Sequence, residues 1–332
     1  MGVTIYDVAK RAGVGIGTVS RVLNGSPHVR EETRRRVLAA IEELNYRPSP
    51  IAQRLSLRKT LTIAVIAPFF TRPAFVERLR GIEATVAESE YDLIVYNVET
   101  TDKRDACFHE VPLGHKVDGV LIISLSPGDE DVARWKEAGV PVVLVDAYHP
   151  ALSRVVVDDV AGGYMATQHL IELGHRRIAY VSDPLVNPFN FTSSRDRYRG
   201  YRRALADYGL PFRPEYHQQG EHGRAQARAL THRLLDLNDP PTAIFAASDT
   251  QALGVLEALR ERGLRTPEDV AVIGYDDIEV AEYLELSTVR QPFFESGTLG
   301  VELLLKRIDD PEQPPQHVEL PVELVVRRTT AG

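Results

Sequence analysis

Two sets of residues in this chain carry side chains suited to recognition chemistry, and they lie far apart. The first is Thr4, Tyr6, Thr18, Ser20, Arg21, Asn24 and Thr33: hydroxyls, one amide and one guanidinium within the first 35 residues. Hydroxyls and amides at that density suit phosphate oxygens, and one arginine can donate two parallel hydrogen bonds to guanine O6 and N7. The second set follows short apolar runs: Phe69, Phe70 and Phe75 after the first run, Asp146 after the fourth, and Asp276 after Tyr275 much later. A carboxylate at a strand exit can accept hydrogen bonds from ligand hydroxyls, and an aromatic ring can stack on a ligand ring. An aspartate after a strand is also a common helix cap, and Phe75 suits a core equally well, so both readings stand.

Signatures of catalysis are missing. The chain has no Gly-x-Ser-x-Gly elbow, no P-loop and no His-Glu-x-x-His, so an enzyme is not expected. Ser56-Leu-Arg-Lys59 matches Ser-x-x-Lys but falls in a linker. Gly13, Gly15 and Gly17 lack the spacing of a nucleotide loop and follow no strand. His217 and His222 have no evident third partner, so neither a metal nor another cofactor is expected. Cys107 is the single cysteine, which excludes an internal disulfide and fits a cytoplasmic protein. No apolar run is long enough for a transmembrane helix, and the N-terminus lacks the apolar core of a secretory signal, so no membrane partner is expected.

The formal net charge of −8 is unusual for a protein that meets DNA, until it is divided along the chain. Residues 1–60 hold 11 Lys/Arg against 5 Asp/Glu, or +6; the rest holds 28 against 42, or −14. A basic head on an acidic body is the asymmetry expected when one domain binds phosphate.

The head must position the first set. Thr4 to Asp7 forms a capping-box-like helix start, and Ile5, Val8, Ala9 and Ala12 recur at helical spacing. Gly13 breaks this helix. A second helix, Gly15 to Asn24, buries Val19, Val22 and Leu23 and presents Ile16, Gly17, Ser20 and Arg21 on its other face. A third, about Glu31 to Asn45, is expected to bury Val37, Leu38, Ile41 and Leu44 and to expose Arg34, Arg35 and Arg36. Two short helices joined through glycine, then a third, read as a helix-turn-helix whose second helix enters the major groove. Ile5, Gly15, Ile16, Gly17, His28 and Tyr46 complete the expected DNA-facing set.

Thr4-Ile-Tyr-Asp-Val-Ala-Lys-Arg-Ala-Gly-Val14, Thr18-Val-Ser-Arg-Val-Leu-Asn24 and Glu42-Glu-Leu-Asn-Tyr-Arg-Pro48 together resemble the lactose-repressor (LacI/GalR) family. One departure is Gly15, where the family usually has a serine that caps the helix and holds phosphate. For residues 48–60, the resemblance implies a hinge that folds on DNA, pairs with its copy in a second subunit and enters the minor groove through Ile51, Ala52, Gln53 and Leu55. Leu55 would wedge between base pairs and kink the site. The alternative is a linker helix whose Leu55 packs on the body.

Beyond residue 60, apolar strands alternate with helices: strands at Leu61–Ala67, Leu93–Asn97, Gly119–Ile123 and Val140–Val145, and helices such as Phe75–Ser89 and Glu130–Ala138. The pattern restarts with Gly162–Leu173, Arg177–Val181, Arg195–Tyr208, Ala225–Leu235, Ala243–Ala246, Thr250–Glu261 and Val270–Gly274. Repeated βα units imply parallel sheets, and this number of strands implies two α/β lobes with a ligand between them at the strand carboxyl ends. Trp135 shares a helical face with Val132 and Ala138 and reads as packing.

The resemblance continues through Gly174-His-Arg-Arg-Ile-Ala179, Ser248-Asp249, Asp269-Val-Ala-Val-Ile-Gly-Tyr-Asp-Asp277 and Ser287-Thr-Val-Arg-Gln291. It implies an α/β fold: a small all-helical helix-turn-helix head (1–47), a hinge and linker (48–60), and a two-lobed periplasmic-binding-protein-like body (61–332). The first lobe would hold about 61–158 plus 291–317, the second about 159–290 plus 318–332, with Val318 to Arg328 crossing between them. Arg197, Gln291, Ser248 with Asp249, and more loosely His222, match cleft positions. Ser248 stands where an asparagine is common. With no heptad helix after Arg328, a homodimer is expected.

The expected function is a transcription regulator, acting as a repressor, that binds near-palindromic operator DNA and answers to a small effector. A sugar is the expected effector; a purine or another metabolite is the alternative, as is a cytoplasmic binding protein that uses the same body without gene control.

Overall fold

The computed structural model describes residues 3–23, 25–46, 59–114 and 116–331. Asn24, Ile51, Ala52, Gln53 and Leu55, five of the proposed DNA contacts, lie outside the described residues. The chain divides into two compact units, residues 1–61 and 62–332.

The first unit holds three helices, α1 (Ile5–Ala12), α2 (Ile16–Leu23) and α3 (Glu31–Glu43). Asp7 closes the capping box: its Oδ2 accepts from the Thr4 backbone N–H at 2.8 Å and the Thr4 hydroxyl at 2.7 Å. Those two bonds hold the Asp7 carboxyl below its ordinary range. Gly13 ends α1 in the left-handed region at φ 64°. The Gly15 carbonyl accepts from Thr18 and Val19, so α2 begins at Ile16 and Gly15 stands at its cap. Val8, Ala9, Ala12, Val19, Val22, Val37 and Ala40 form the small core.

Two expectations for α3 are corrected. Leu38 is 50% exposed rather than buried, because Val37, Ala40, Ile41 and Leu44 fill the inward stripe and leave position 38 on the flank. Arg34 is half-buried and donates to the Ser26 carbonyl at 2.6 Å, tying α3 to the preceding turn.

The second unit contains two α/β lobes. The first is a six-stranded all-parallel sheet made of β1 (Thr62–Pro68), β2 (Asp92–Val98), β3 (Gly119–Ile123), β4 (Val142–Val145), β5 (Ser153–Val157) and β11 (His317–Leu320). Its order is β11-β5-β4-β3-β1-β2. The second is a four-stranded parallel sheet of β6 (Ile178–Ser182), β7 (His217–Gln219), β8 (Ala243–Ala246) and β9 (Ala271–Ile273), ordered β7-β6-β8-β9. An antiparallel pair, β10 (Thr288–Arg290) with β12 (Glu323–Val325), completes it. Residues 318–320 therefore belong to the first lobe, and the last crossing falls between β11 and β12, not at residue 317. The apolar runs that mark β1, β3, β4 and β6 are fully buried, as parallel strands covered on both faces must be.

Four helices matter for the site: α4 (Pro73–Ala87), α7 (Asp159–Glu172), α8 (Ser193–Asp207) and α12 (Phe293–Asp309). Between α4 and α7 come α5 (Thr101–Leu113) and α6 (Asp129–Glu137); between α8 and α12 come α9 (Arg224–Leu235), α10 (Asp249–Glu261) and α11 (Glu279–Tyr283). The site helices pack by close approach through glycine. A Cβ on Gly163 would lie 2.2 Å from the Arg197 carbonyl oxygen, fixing α7 against α8; one on Gly81 would lie 2.1 Å from the Phe294 carbonyl oxygen, fixing α4 against α12. Trp135 is buried, donates to the Phe108 carbonyl at 2.8 Å and meets the Phe108 ring edge-on. Cys107 is a buried free thiol in the same core. Among the described residues no helix is long and apolar enough to cross a membrane.

Candidate functional site

Both sheets reverse their order beside their first strand, β1 in one lobe and β6 in the other. The loops at the strand carboxyl ends therefore meet at a switch point, where open α/β sheets bind ligands. A cavity of about 100 Å³ lies there, lined from both lobes. The backbone at the strand exits is strained. Phe69 (φ 45°), Ser124 (φ 54°), Asp146 (φ 56°) and Asp276 (φ 116°) take positive φ just beyond β1, β3, β4 and β9. Non-glycine residues in that region cost about 1–3 kcal/mol each and cluster where a surrounding structure holds side chains in place for function.

Each lobe sends one buried arginine to the cavity from a glycine-packed helix. Arg78 on α4 donates Nε to Ser296 Oγ at 3.1 Å and sets Nη1 3.6 Å from Asp146. Burial pulls its pKa down, and Asp146 opposes the pull. Arg197 on α8 donates Nε to Asp159 at 2.8 Å and Nη1 to the Ala247 carbonyl at 2.6 Å, and lies 3.6 Å from Asp276. Burial alone would lower the Arg197 pKa, but Asp159 and Asp276 outweigh it and hold the guanidinium firmly charged. Burial pushes the Asp276 carboxyl up to about 6 despite Arg197 and despite the Gln291 amide, which donates to Asp276 Oδ1 at 2.7 Å. Asp146 Oδ2 accepts from the Ser124 hydroxyl at 2.6 Å. Both buried arginines are thus paired, Arg78 with Asp146 and Arg197 with Asp159 and Asp276, and these contacts use Asp146 Oδ2 and Asp276 Oδ1.

Of the residues expected here, Phe75, Asp146, Arg197, His222, Ser248, Asp276 and Gln291 line the cavity. Three do not. Asp249 is fully buried and spent on structure: its carboxylate accepts from the Thr288 hydroxyl at 2.6 Å and the Ile278 N–H at 3.0 Å, bracing the β9 exit. Phe70 packs into the first-lobe core, and Phe69 faces Phe189 instead of the cavity. Ser248 caps its helix through the Gln251 N–H while still lining the wall.

Arg72, Arg78, Ser124 and Asp183 also line the cavity and were missed. Asp183 follows β6 as Asp146 follows β4, so the strand-exit signal was present for it. Its Oδ1 lies 3.2 Å from His222 Nδ1 and accepts from the Gln251 amide at 3.1 Å. Arg78 carried no local signal, because its partners Ser296 and Asp146 are remote in sequence.

On the first unit, Thr4, Tyr6, Gly15, Ile16, Gly17, Arg21 and His28 are exposed, and Thr18, Ser20 and Thr33 half-exposed. Ile5 and Tyr46 pack against the small core, which leaves only part of each available to DNA.

Residues 4–49 match the model for bacterial regulatory proteins of the lacI family, and residues 167–330 match a periplasmic binding protein-like domain. The chain is 35% identical to catabolite control protein A of Priestia megaterium, over 99% of this chain and all of that one. The chain belongs to the LacI family. It is a DNA-binding transcription regulator controlled by a small-molecule effector. It is 34% identical to the HTH-type transcriptional repressor PurR of Aliivibrio salmonicida, over 98% of each chain. The Lac repressor dimer bound to operator and the anti-inducer ONPF matches with a TM-score of 0.86 at 31% identity, over the whole of both chains. A complex of the transcriptional regulator CelR with cellobiose matches at 0.73 and 35% identity, over 98% of this chain and 99% of that one. These relatives are regulators, not enzymes.

Proposed function

We propose that this LacI-family regulator is a cytoplasmic homodimeric repressor that reads a near-palindromic operator and is switched by a small neutral ligand, a sugar, in the inter-lobe cavity. The observation that carries the ligand reading is that both buried arginines are already engaged by the three carboxylates Asp146, Asp159 and Asp276, which leaves Asp146 Oδ1 and Asp276 Oδ2 as acceptors. Hydroxyl donors satisfy such oxygens, whereas an anionic ligand would meet Asp146, Asp183 and Asp276 at close range. The size fits: a single water needs ~10–15 Å³ by this measure, so about 100 Å³ holds one small ring. The cellobiose complex of a similar regulator supports a carbohydrate; a purine or another metabolite is the competing ligand.

Arg21 and Ile16 are assigned to base edges, and Thr4, Tyr6, Thr18, Ser20 and Thr33 to phosphates. With Gly15 and Gly17 offering no side chain, the Leu55 kink carries a larger share of specificity through DNA shape. Selecting binding sites from a random duplex library, then adding glucose, cellobiose, ribose or hypoxanthine to the shifted band, tests this. A palindromic consensus and a sugar-dependent shift are expected. A band insensitive to the sugars but sensitive to hypoxanthine would overturn the sugar assignment.

A further inference from the structure

The segment between β6 and α8, residues 183–192, belongs to the second lobe by connectivity, yet its tip packs on the first. Phe189 and Phe191 pack against the first-lobe core cluster, which runs from Ala64 and Ile66 of β1 to Leu144 of β4. Arg104, on α5 of the first lobe, donates to the Pro188 carbonyl at 3.2 Å. The tip is internally braced: the Asn187 side chain accepts from the Phe191 N–H at 3.0 Å and donates to the Phe191 carbonyl at 3.1 Å.

The aromatic contacts form a chain that starts and ends at the cavity. Phe191, in the cavity wall, stacks on Phe189 with centroids 5.2 Å apart and planes at 10°. Phe189 meets Phe69 of the first lobe edge-on at 5.6 Å and 77°. The Arg72 guanidinium lies 4.0 Å over the Phe69 ring and returns to the cavity wall. Phe69 holds its ring there from a backbone at φ 45°, an uncommon conformation for a bulky residue.

We propose that Phe189 is a positioning residue that latches the two lobes around the effector cavity, acting through Phe191 on one side and through Phe69 and Arg72 on the other. The proposal rests on the reading of the cavity as the effector site. Opening the lobes breaks the Phe189–Phe69 contact, so a ligand that holds the cavity closed and the latch stabilise the same state. This explains why Phe69 follows β1 without reaching the cavity. An aromatic pair is worth about 0.5–1.5 kcal/mol beyond its buried area, which converts to about a 2- to 10-fold change in ligand release.

The test uses the full chain. Hydrogen exchange is measured without ligand in wild type, Phe189→Ala, the ring-preserving Phe189→Tyr and Asp276→Asn. In Phe189→Ala, exchange should rise several-fold in residues 69–75, where Arg72 and Phe75 donate to local carbonyls. Strands β6 and β8 should stay protected, and Phe189→Tyr should restore the wild-type rate. Unchanged exchange in 69–75, with a rise confined to 185–192, would overturn the latch. Titration with glucose, cellobiose, ribose and hypoxanthine then separates the two claims. Asp276→Asn should weaken binding without altering 69–75, and Phe189→Ala should speed release about 2- to 10-fold. If Asp276→Asn binds every compound like wild type, the cavity assignment fails, while the exchange result still judges the latch.

Discussion

Replacing Asp276 by asparagine should separate ligand recognition from folding. The Asp276 carboxyl is buried between Arg197 at 3.6 Å and the Gln291 amide at 2.7 Å, yet burial holds it up at about 6. In the unfolded chain it titrates near 3.9, so between roughly pH 4 and pH 6 the folded state binds the extra proton. Its contribution to stability is therefore fully present at low pH and is lost as pH rises through about 6. The gap is worth at most ~3 kcal/mol. Asp276→Asn removes that penalty at pH 7.5, while Arg197 keeps Asp159 at 2.8 Å. The ligand-free variant should match or exceed wild type in urea denaturation at pH 7.5 and lose that advantage at pH 5. Ligand binding should move the other way. Loss of one charge-assisted hydrogen bond costs about 1.5–3 kcal/mol, or about 10- to 100-fold in affinity. Calorimetric titration with the sugar that shifts operator binding measures this. Unchanged affinity, or a destabilisation that grows with pH, would rule out this role for Asp276.

Three further outcomes follow from other parts of the molecule. Gly163→Ala places a methyl 2.2 Å from the Arg197 carbonyl oxygen, so α8 must shift; a stability loss of about 1–3 kcal/mol by urea denaturation is expected, with weaker ligand binding. Arg21→Ala should cost about 1–3 kcal/mol in operator affinity and relax preference at one base pair, whereas an equal loss on all sequences would reassign Arg21 to phosphate. Burial and Arg202 hold the His217 pKa down to about 4, below the ~6.5 of the unfolded chain; stability should be full above about pH 6.5 and fall as pH drops toward 4. His217→Gln should flatten that limb of the melting temperature against pH.

The parallel sheets were legible because continuous apolar runs such as Gly119–Ile123 and Ala243–Ala246 have few other uses than buried strands. The polar head was legible because Thr4, Asp7 and Gly13 sit at cap and turn positions that local chemistry dictates. The cavity was legible only in part. Strand-exit aspartates announce themselves, but Asp249, next to Ser248, turned inward because Thr288 and the Ile278 N–H, remote in sequence, claim its oxygens. Arg78 was invisible for the same reason: its partners Ser296 and Asp146 lie far along the chain and meet it only once the first lobe is folded. Leu38 shows the limit of counting apolar residues, since a small residue, Ala40, took the inward position instead.

Control by an effector requires that ligand and operator be coupled, and coupling must be reciprocal. The direct measurement is ligand affinity by calorimetry on the free protein and on the protein saturated with operator duplex, beside operator affinity with and without ligand. The same factor is expected in both, about 5- to 150-fold for a coupling of 1–3 kcal/mol. Equal ligand affinity in the free and operator-bound protein would contradict effector control through this cavity.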